Sequence, residues 1–148
     1  VVLDMKYVLN SSKAGKGAQE ILKNKFNDNA KKFSELEKSL KKDESDLLAE
    51  KANLSKEEYK TKSDLLRKKV IDYQSQRRTS IDNLATQRVE ARKVLMNQIK
   101  PILSVYIKEN DVSLIIDKKN MIVGSTEYDI TKIIVEKLDK EFPSLNLQ

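Results

Sequence analysis

The chain has 148 residues and a mass of 17.0 kDa, which leaves room for one domain of ordinary size and little for a separate catalytic module. Charged residues make up 35% and aromatics 5%, with 3 Gly and 2 Pro, a composition of long helices rather than of a β-sandwich or a disordered tail. With no Cys and no His, it excludes a disulfide framework, a structural zinc site, a Cys–His nucleophile and a serine triad with an imidazole base.

Val1-Val2-Leu3-Asp4-Met5 is a short apolar run and predicts a first strand. Ser11 to Gly17 follows, where a phosphate-binding loop would open a helix. Asn10 stands where such a loop needs a Gly, and Gly17 where it needs a Ser or Thr for magnesium, so the segment reads as a flexible strand-to-helix turn. Phe26, Phe33, Leu40, Leu47 and Leu54 then recur every seven residues, interleaved with Leu22, Asn29, Leu36, Asp43 and Glu50. This seam grows polar toward its far end and predicts a coiled-coil helix of about 36 residues, stopping near Asn53.

Ser55-Lys56-Glu57-Glu58 is a capping box, with Leu54 placed to staple onto Tyr59, and it starts a second helix. The apolar stripe of that helix runs from Tyr59 through Leu66, Val70, Tyr73, Ile81, Leu84, Ala91, Leu95 and Ile99 to Ile102, interrupted by Arg77 and Arg88. Two long helices joined by a few residues fold back antiparallel. Pro101 cannot donate to the carbonyl of Asn97, so a kink or break is expected there.

Ser113 to Asp117 is a second apolar run, and Asp117-Lys118-Lys119-Asn120 is placed to turn it into Met121-Ile122-Val123, giving three or four strands in all. Asp129 is expected to cap a last amphipathic helix carrying Ile130, Ile133, Ile134, Val135 and Leu138, ending before Phe142-Pro143. The expected fold class is α+β, mostly α. A small body comprises 1–16 and 104–142, a helical hairpin arm 17–103 with its tip near 52–56, and a tail 143–148. So small a sheet is marginal alone, and self-association is the natural remedy.

Residues 13–100 carry 22 Lys and Arg against 14 Asp and Glu, a surplus of 8, while the two ends together carry 7 against 9. That surplus favours polyanionic or acidic partners. Asp117, Asn120, Glu127 and Asp129 lack calcium-loop spacing and read as turn and cap residues. The five tyrosines, at 7, 59, 73, 106 and 128, are too dispersed for a compact base-stacking site. No acid, base and nucleophile converge, so neither an enzyme nor a cofactor nor a metal site is expected. No segment approaches the roughly 18–20 apolar residues of a membrane-spanning helix. The sequence opens on Val1 without an initiator Met, and a signal peptide is expected to have been removed.

The order of strand, long basic helical hairpin, strand pair and last helix resembles the Skp/OmpH family of periplasmic chaperones along nearly the whole chain. The matching residues are Val2 to Asp4, Ser12 with Gly15-Lys16, Leu114-Ile115-Ile116-Asp117, and Asp129-Ile130-Thr131. The resemblance implies a homotrimer whose strands assemble a central β body, here Val2, Leu3, Leu114, Ile115, Ile116, Ile122 and Val123. It also implies arms that enclose unfolded outer-membrane proteins without ATP in the periplasm. A client-binding basic surface is then expected at Lys31, Lys38, Lys41, Lys42, Lys62, Lys68, Lys69, Arg77 and Arg78. Some members carry a basic cluster for lipopolysaccharide or an anionic membrane surface. Arg88, Arg92 and Lys93 lie in that region of the second helix, without a residue-by-residue match.

Two other readings are weaker. A cytoplasmic nucleic-acid binder would use the basic hairpin to track phosphates, but Arg supplies only 5 of the 29 basic residues and no base-reading module is present, so nucleic acid is not an expected partner. A prefoldin-like chaperone has its helices at the chain ends with the strands between them, the reverse of the order here.

Overall fold

The computed structural model describes residues 1–147. Strand β1 (Val2–Leu3) is followed by helices α1 (Met5–Ser11), α2 (Lys13–Glu50) and α3 (Lys56–Glu109), then β2 (Ile116–Asp117) and α4 (Thr131–Glu141). Single 3-10 turns lie at Lys51–Asn53, Lys118–Asn120 and Thr126–Tyr128. The chain divides into two compact units, one of residues 1–23 with residue 86 onward, the other of residues 24–85.

In the first unit β1 and β2 pair in parallel, Val2 opposite Ile116 and Leu3 opposite Asp117. On its other side β1 meets the residues before α4, where the Ile130 amide donates to the Val2 carbonyl at 3.0 Å. The described residues thus hold two strands, not three or four. Met121-Ile122-Val123 forms no strand, because a strand exists only by pairing and this segment pairs with no edge of the chain.

Helix α1 was not expected from the sequence. Asp4 caps it, its carboxylate accepting from the Tyr7 amide at 2.8 Å, and Val8 and Leu9 bury one face. Ser12 ends α1 in extended conformation and caps the next helix, its buried hydroxyl accepting from the Gly15 amide at 3.2 Å. The Lys13 amide, one of the unsatisfied donors of α2's first turn, donates to Asp139 of α4 at 2.6 Å. Gly15 lies against α1 so closely that a Cβ there would stand 1.9 Å from the Leu9 carbonyl oxygen.

The core is built from Val8 and Leu9 of α1, Ala14 and Ala18 of α2, Ala91, Leu95, Ile99, Ile102 and Tyr106 of α3, and Ile134 and Leu138 of α4, together with Leu3, Ile130 and Leu145. Small residues on α2 face large ones elsewhere, which is how closely spaced helices interdigitate without voids. Pro101 does not break α3, which continues to Glu109. A mid-helix proline costs about 3 kcal/mol. The flanking Leu95, Ile99, Ile102 and Tyr106 are all buried, and each such burial contributes about 1.5–3 kcal/mol, so packing outweighs the lost bond. After α3, Asp111 takes a left-handed conformation (φ 51°) and the Val112 amide donates to the Ile107 carbonyl at 3.1 Å, the wrapped ending usually built with glycine.

In the second unit α2 and α3 run antiparallel, as the seam predicts. The rings of Phe33 and Tyr73 meet edge to face at 6.0 Å, and farther along, Asp43 reaches Lys69 and Glu50 reaches Lys62. The capping box forms as expected, the Ser55 amide donating to Glu58 at 2.8 Å and the Glu58 amide to the Ser55 hydroxyl at 3.2 Å. Burial is thin. Phe33 is 8% exposed, whereas Phe26, one heptad earlier on the same seam, is 60% exposed.

Gly15→Ala is expected to lower the free energy of unfolding measured by urea titration, by about 1–3 kcal/mol for an overpacked site. Gly17→Ala, with no atom near its Cβ position, is expected to raise it by about 0.5–1 kcal/mol through helix propensity. Matching midpoints for the two variants would mean that α1 does not hold its place against α2.

Candidate functional site

Two surfaces hold the residues singled out by the sequence, one in each unit. In the first unit the alternation of a strand divides the apolar run after α3. Ile115 packs against the core, while Leu114 and Ile116 face outward and are exposed. Ile122 and Val123 are exposed as well, Ile122 completely. β2 pairs with β1 along one edge, and no strand of the described residues pairs with the other. Val2 and Leu3 are buried in the chain's own core. The seven body residues therefore fall into an inner set, Val2, Leu3 and Ile115, and an outer set, Leu114, Ile116, Ile122 and Val123.

A polar knot fastens this edge. The Asp4 amide donates to the Thr131 hydroxyl at 2.9 Å, and both the hydroxyl and the amide of Thr131 donate to one oxygen of Asp129. The other oxygen of Asp129 accepts from Lys118 Nζ at 2.6 Å. Three separated stretches of chain are tied through one carboxylate, which lines a cleft of about 390 Å³ with Tyr7 and Lys132. The bond from Lys118, helped by those from Thr131, lowers the Asp129 pKa from 3.8 to about 2, and the same contact raises that of Lys118.

The second surface is the hairpin of residues 24–85. All nine expected client-binding cations are exposed, but their charges are used differently. Lys41 pairs with Glu37 one turn away at 2.9 Å, Lys62 with Glu50 at 2.6 Å and Lys69 with Asp43 at 2.7 Å. The hydrogen bond from Lys41 lowers the Glu37 pKa, with smaller contributions from Arg77 and Tyr73. Lys31, Lys38, Lys42, Lys68 and Arg78 make no ion pair among the described residues. Interleaved with these cations are exposed apolar side chains: Phe26, Leu36, Leu48, Leu65, Ile71 and Ile81. Arg88, Arg92 and Lys93 are exposed on the part of α3 that belongs to the first unit.

Sequence reasoning left these exposed apolar residues out of the candidate site. For two of them the signal was available: Ile71 and Leu65 lie off the stripe that runs through Leu66, Val70 and Tyr73, whereas Phe26 and Ile81 lie on the expected seam and stripe and are exposed all the same.

A family model described as "Outer membrane protein (OmpH-like)" matches residues 1–138. A crystal structure from Caulobacter crescentus, described as a candidate outer membrane chaperone (OmpH-like), superposes with a TM-score of 0.92 at 16% identity. That match covers 98% of this chain and 86% of the other. No match is found among curated proteins.

The low pKa of Asp129 carries a pH dependence. Its folded pKa lies below its unfolded one, so its contribution to stability is present above about pH 4 and is lost as the pH falls through about 2. The urea midpoints of the wild type and Asp129→Asn are expected to differ near neutral pH and to converge below about pH 4. A gap that stays constant down to about pH 2 would mean that the carboxylate charge is not what fastens the knot.

Proposed function

The chain belongs to the OmpH-like outer membrane protein family, and on that premise we propose that it is a chaperone rather than an enzyme. In this reading it is an ATP-independent holdase that binds unfolded outer-membrane proteins and keeps them from aggregating in the periplasm. The observation that carries it is the hairpin surface, where the second unit buries one apolar side chain, Phe33, and leaves six large ones exposed among cations.

An unfolded barrel protein exposes alternating apolar side chains and unpaired backbone, and it aggregates unless these are covered. Single exposed leucines and isoleucines each offer a small apolar contact that forms and breaks readily. Unpaired Lys31, Lys38, Lys42, Lys68 and Arg78 attract acidic stretches of the client. Many weak contacts presented together hold a client firmly although each exchanges fast, and several copies of the hairpin multiply the effect. Release needs no nucleotide, because insertion into the membrane is a deeper well than any one contact.

The copies are supplied by a homotrimer, in which the outer set Leu114, Ile116, Ile122 and Val123 and the unpaired edge of β2 meet the same elements of two other chains. Supporting this is the size of the sheet, since two strands of two residues each are too small to persist with an apolar edge in water. Arg88, Arg92 and Lys93 are assigned to an anionic lipid surface such as lipopolysaccharide.

Sedimentation equilibrium is expected to give about three times 17.0 kDa, and Ile116→Asp to reduce it to that of one chain with the helices intact by circular dichroism. A trimer that survives this change would place the interface elsewhere. Ile115→Asp would test folding instead, since Ile115 packs inward.

Light scattering after dilution of a urea-denatured outer-membrane protein is the test of client capture. Changing Lys31, Lys38, Lys42 and Lys68 together to Glu should weaken suppression of scattering several-fold, and Ile71→Ser with Ile81→Ser should weaken it at high salt as well as at low. Unchanged scattering with the charge variant would remove the electrostatic half of the mechanism.

A further inference from the structure

The hairpin is not uniform in charge. Residues 43–72 hold 8 Asp and Glu against 7 Lys and Arg, whereas the rest of the unit, 24–42 and 73–85, holds 4 against 8. The balanced part is also the poorly packed one, with no buried side chain between residues 43 and 72. Its two seam positions that should be apolar are Asp43 and Glu50, and each reaches across to a lysine, Lys69 at 2.7 Å and Lys62 at 2.6 Å. These pairs line a cleft of about 380 Å³ together with Leu47, Leu65 and Leu66.

From this arrangement we propose that residues 43–72 form a latch set by ionic strength. At low salt the two cross-helix pairs hold the end of the hairpin shut over Leu47 and Leu66. At high salt the pairs are screened, the helices part locally, and those leucines are uncovered. Exposed ion pairs are weak, and each changes a local closing equilibrium only about twofold. In a well-packed helix pair that would be invisible. Here apolar burial is so slight that two such pairs decide whether the segment is closed, about fourfold together. The capping box keeps the first turn of α3 helical while this happens, because its bonds are made within Ser55 to Glu58 and cross no helix boundary.

Salt acts on the two competing forces with opposite signs: it screens ion pairs and strengthens apolar association. The direction of the response therefore identifies which force closes the segment. Backbone hydrogen exchange on the full chain, read by mass spectrometry at about 20 mM and about 500 mM NaCl and corrected with an unstructured peptide, is the measurement. Amides of 43–72 are expected to exchange about fourfold faster at high salt, while those of 1–23 and 86–147 keep their rates. The double variant Lys62→Gln, Lys69→Gln is expected to exchange fast at both salt levels. Exchange in 43–72 that is indifferent to salt, or slower at high salt, overturns the proposal, as does a double variant that retains the wild-type response.

Discussion

The packing of Val8, Ile99, Ile134 and Leu138 with the small residues Ala14 and Ala18, and the close approach of Gly15 to Leu9, are the constraint on which the first unit rests. Every element of that unit contributes to it or is tied to it: β1 through Leu3, the start of α4 through Ile130, and the end of the described chain through Leu145. It also bears on residues far along the sequence. Nucleating a helix is costly, while extending one is close to neutral per residue. Once the ends of α2 and α3 are fixed in the core, the remainder of each helix needs little further stabilisation. A hairpin with a single buried side chain can then exist, and its surface is released from packing duty.

That release is what gives the second unit its chemical character. Among the described residues, Lys31, Lys38, Lys42, Lys68 and Arg78 are not engaged in ion pairs, and Ile71 and Ile81 are not engaged in a core, so both kinds of side chain are available to another molecule. The two attractions respond to salt in opposite directions, although their side chains are interleaved along the hairpin. Where screening weakens the basic region, the opened latch offers Leu47 and Leu66 in exchange.

Much of the fold was legible in the sequence because it is locally encoded. The heptad seam and the Ser55–Glu58 box depend on residues within a few positions of one another, and the box forms as read. Phe26 of the seam is exposed, however, and Asp129, expected to cap α4, stands one residue before its N-cap Ile130 and bonds the Thr131 amide instead. Helix α1 was missed because Val1 to Met5 reads as one apolar run, although Asp4 followed by Met5, Val8 and Leu9 is a cap with helical spacing. The strand expected at Met121-Ile122-Val123 failed for the opposite reason. Alternation and apolarity give a segment the capacity to pair, and only a partner makes the strand. The site was legible in composition and not in detail. Glu37 with Lys41 is visible at a spacing of four, but which lysines Asp43 and Glu50 neutralise depends on the register between two helices, which no local pattern states.

The same register limits how a hairpin of this kind can change length. Phe33 against Tyr73, Asp43 against Lys69 and Glu50 against Lys62 are matched across the pair, so residues added to α2 alone would put every later position out of step with its partner. Additions that preserve the match come as a heptad on each side of the Lys51–Leu54 turn, together about 10 Å of reach. Growth or shortening by such paired steps leaves the turn, the capping box and the buried cluster untouched. The span of the hairpin is therefore a trait that evolution or a designer can alter in discrete increments, without a compensating substitution anywhere else in the chain.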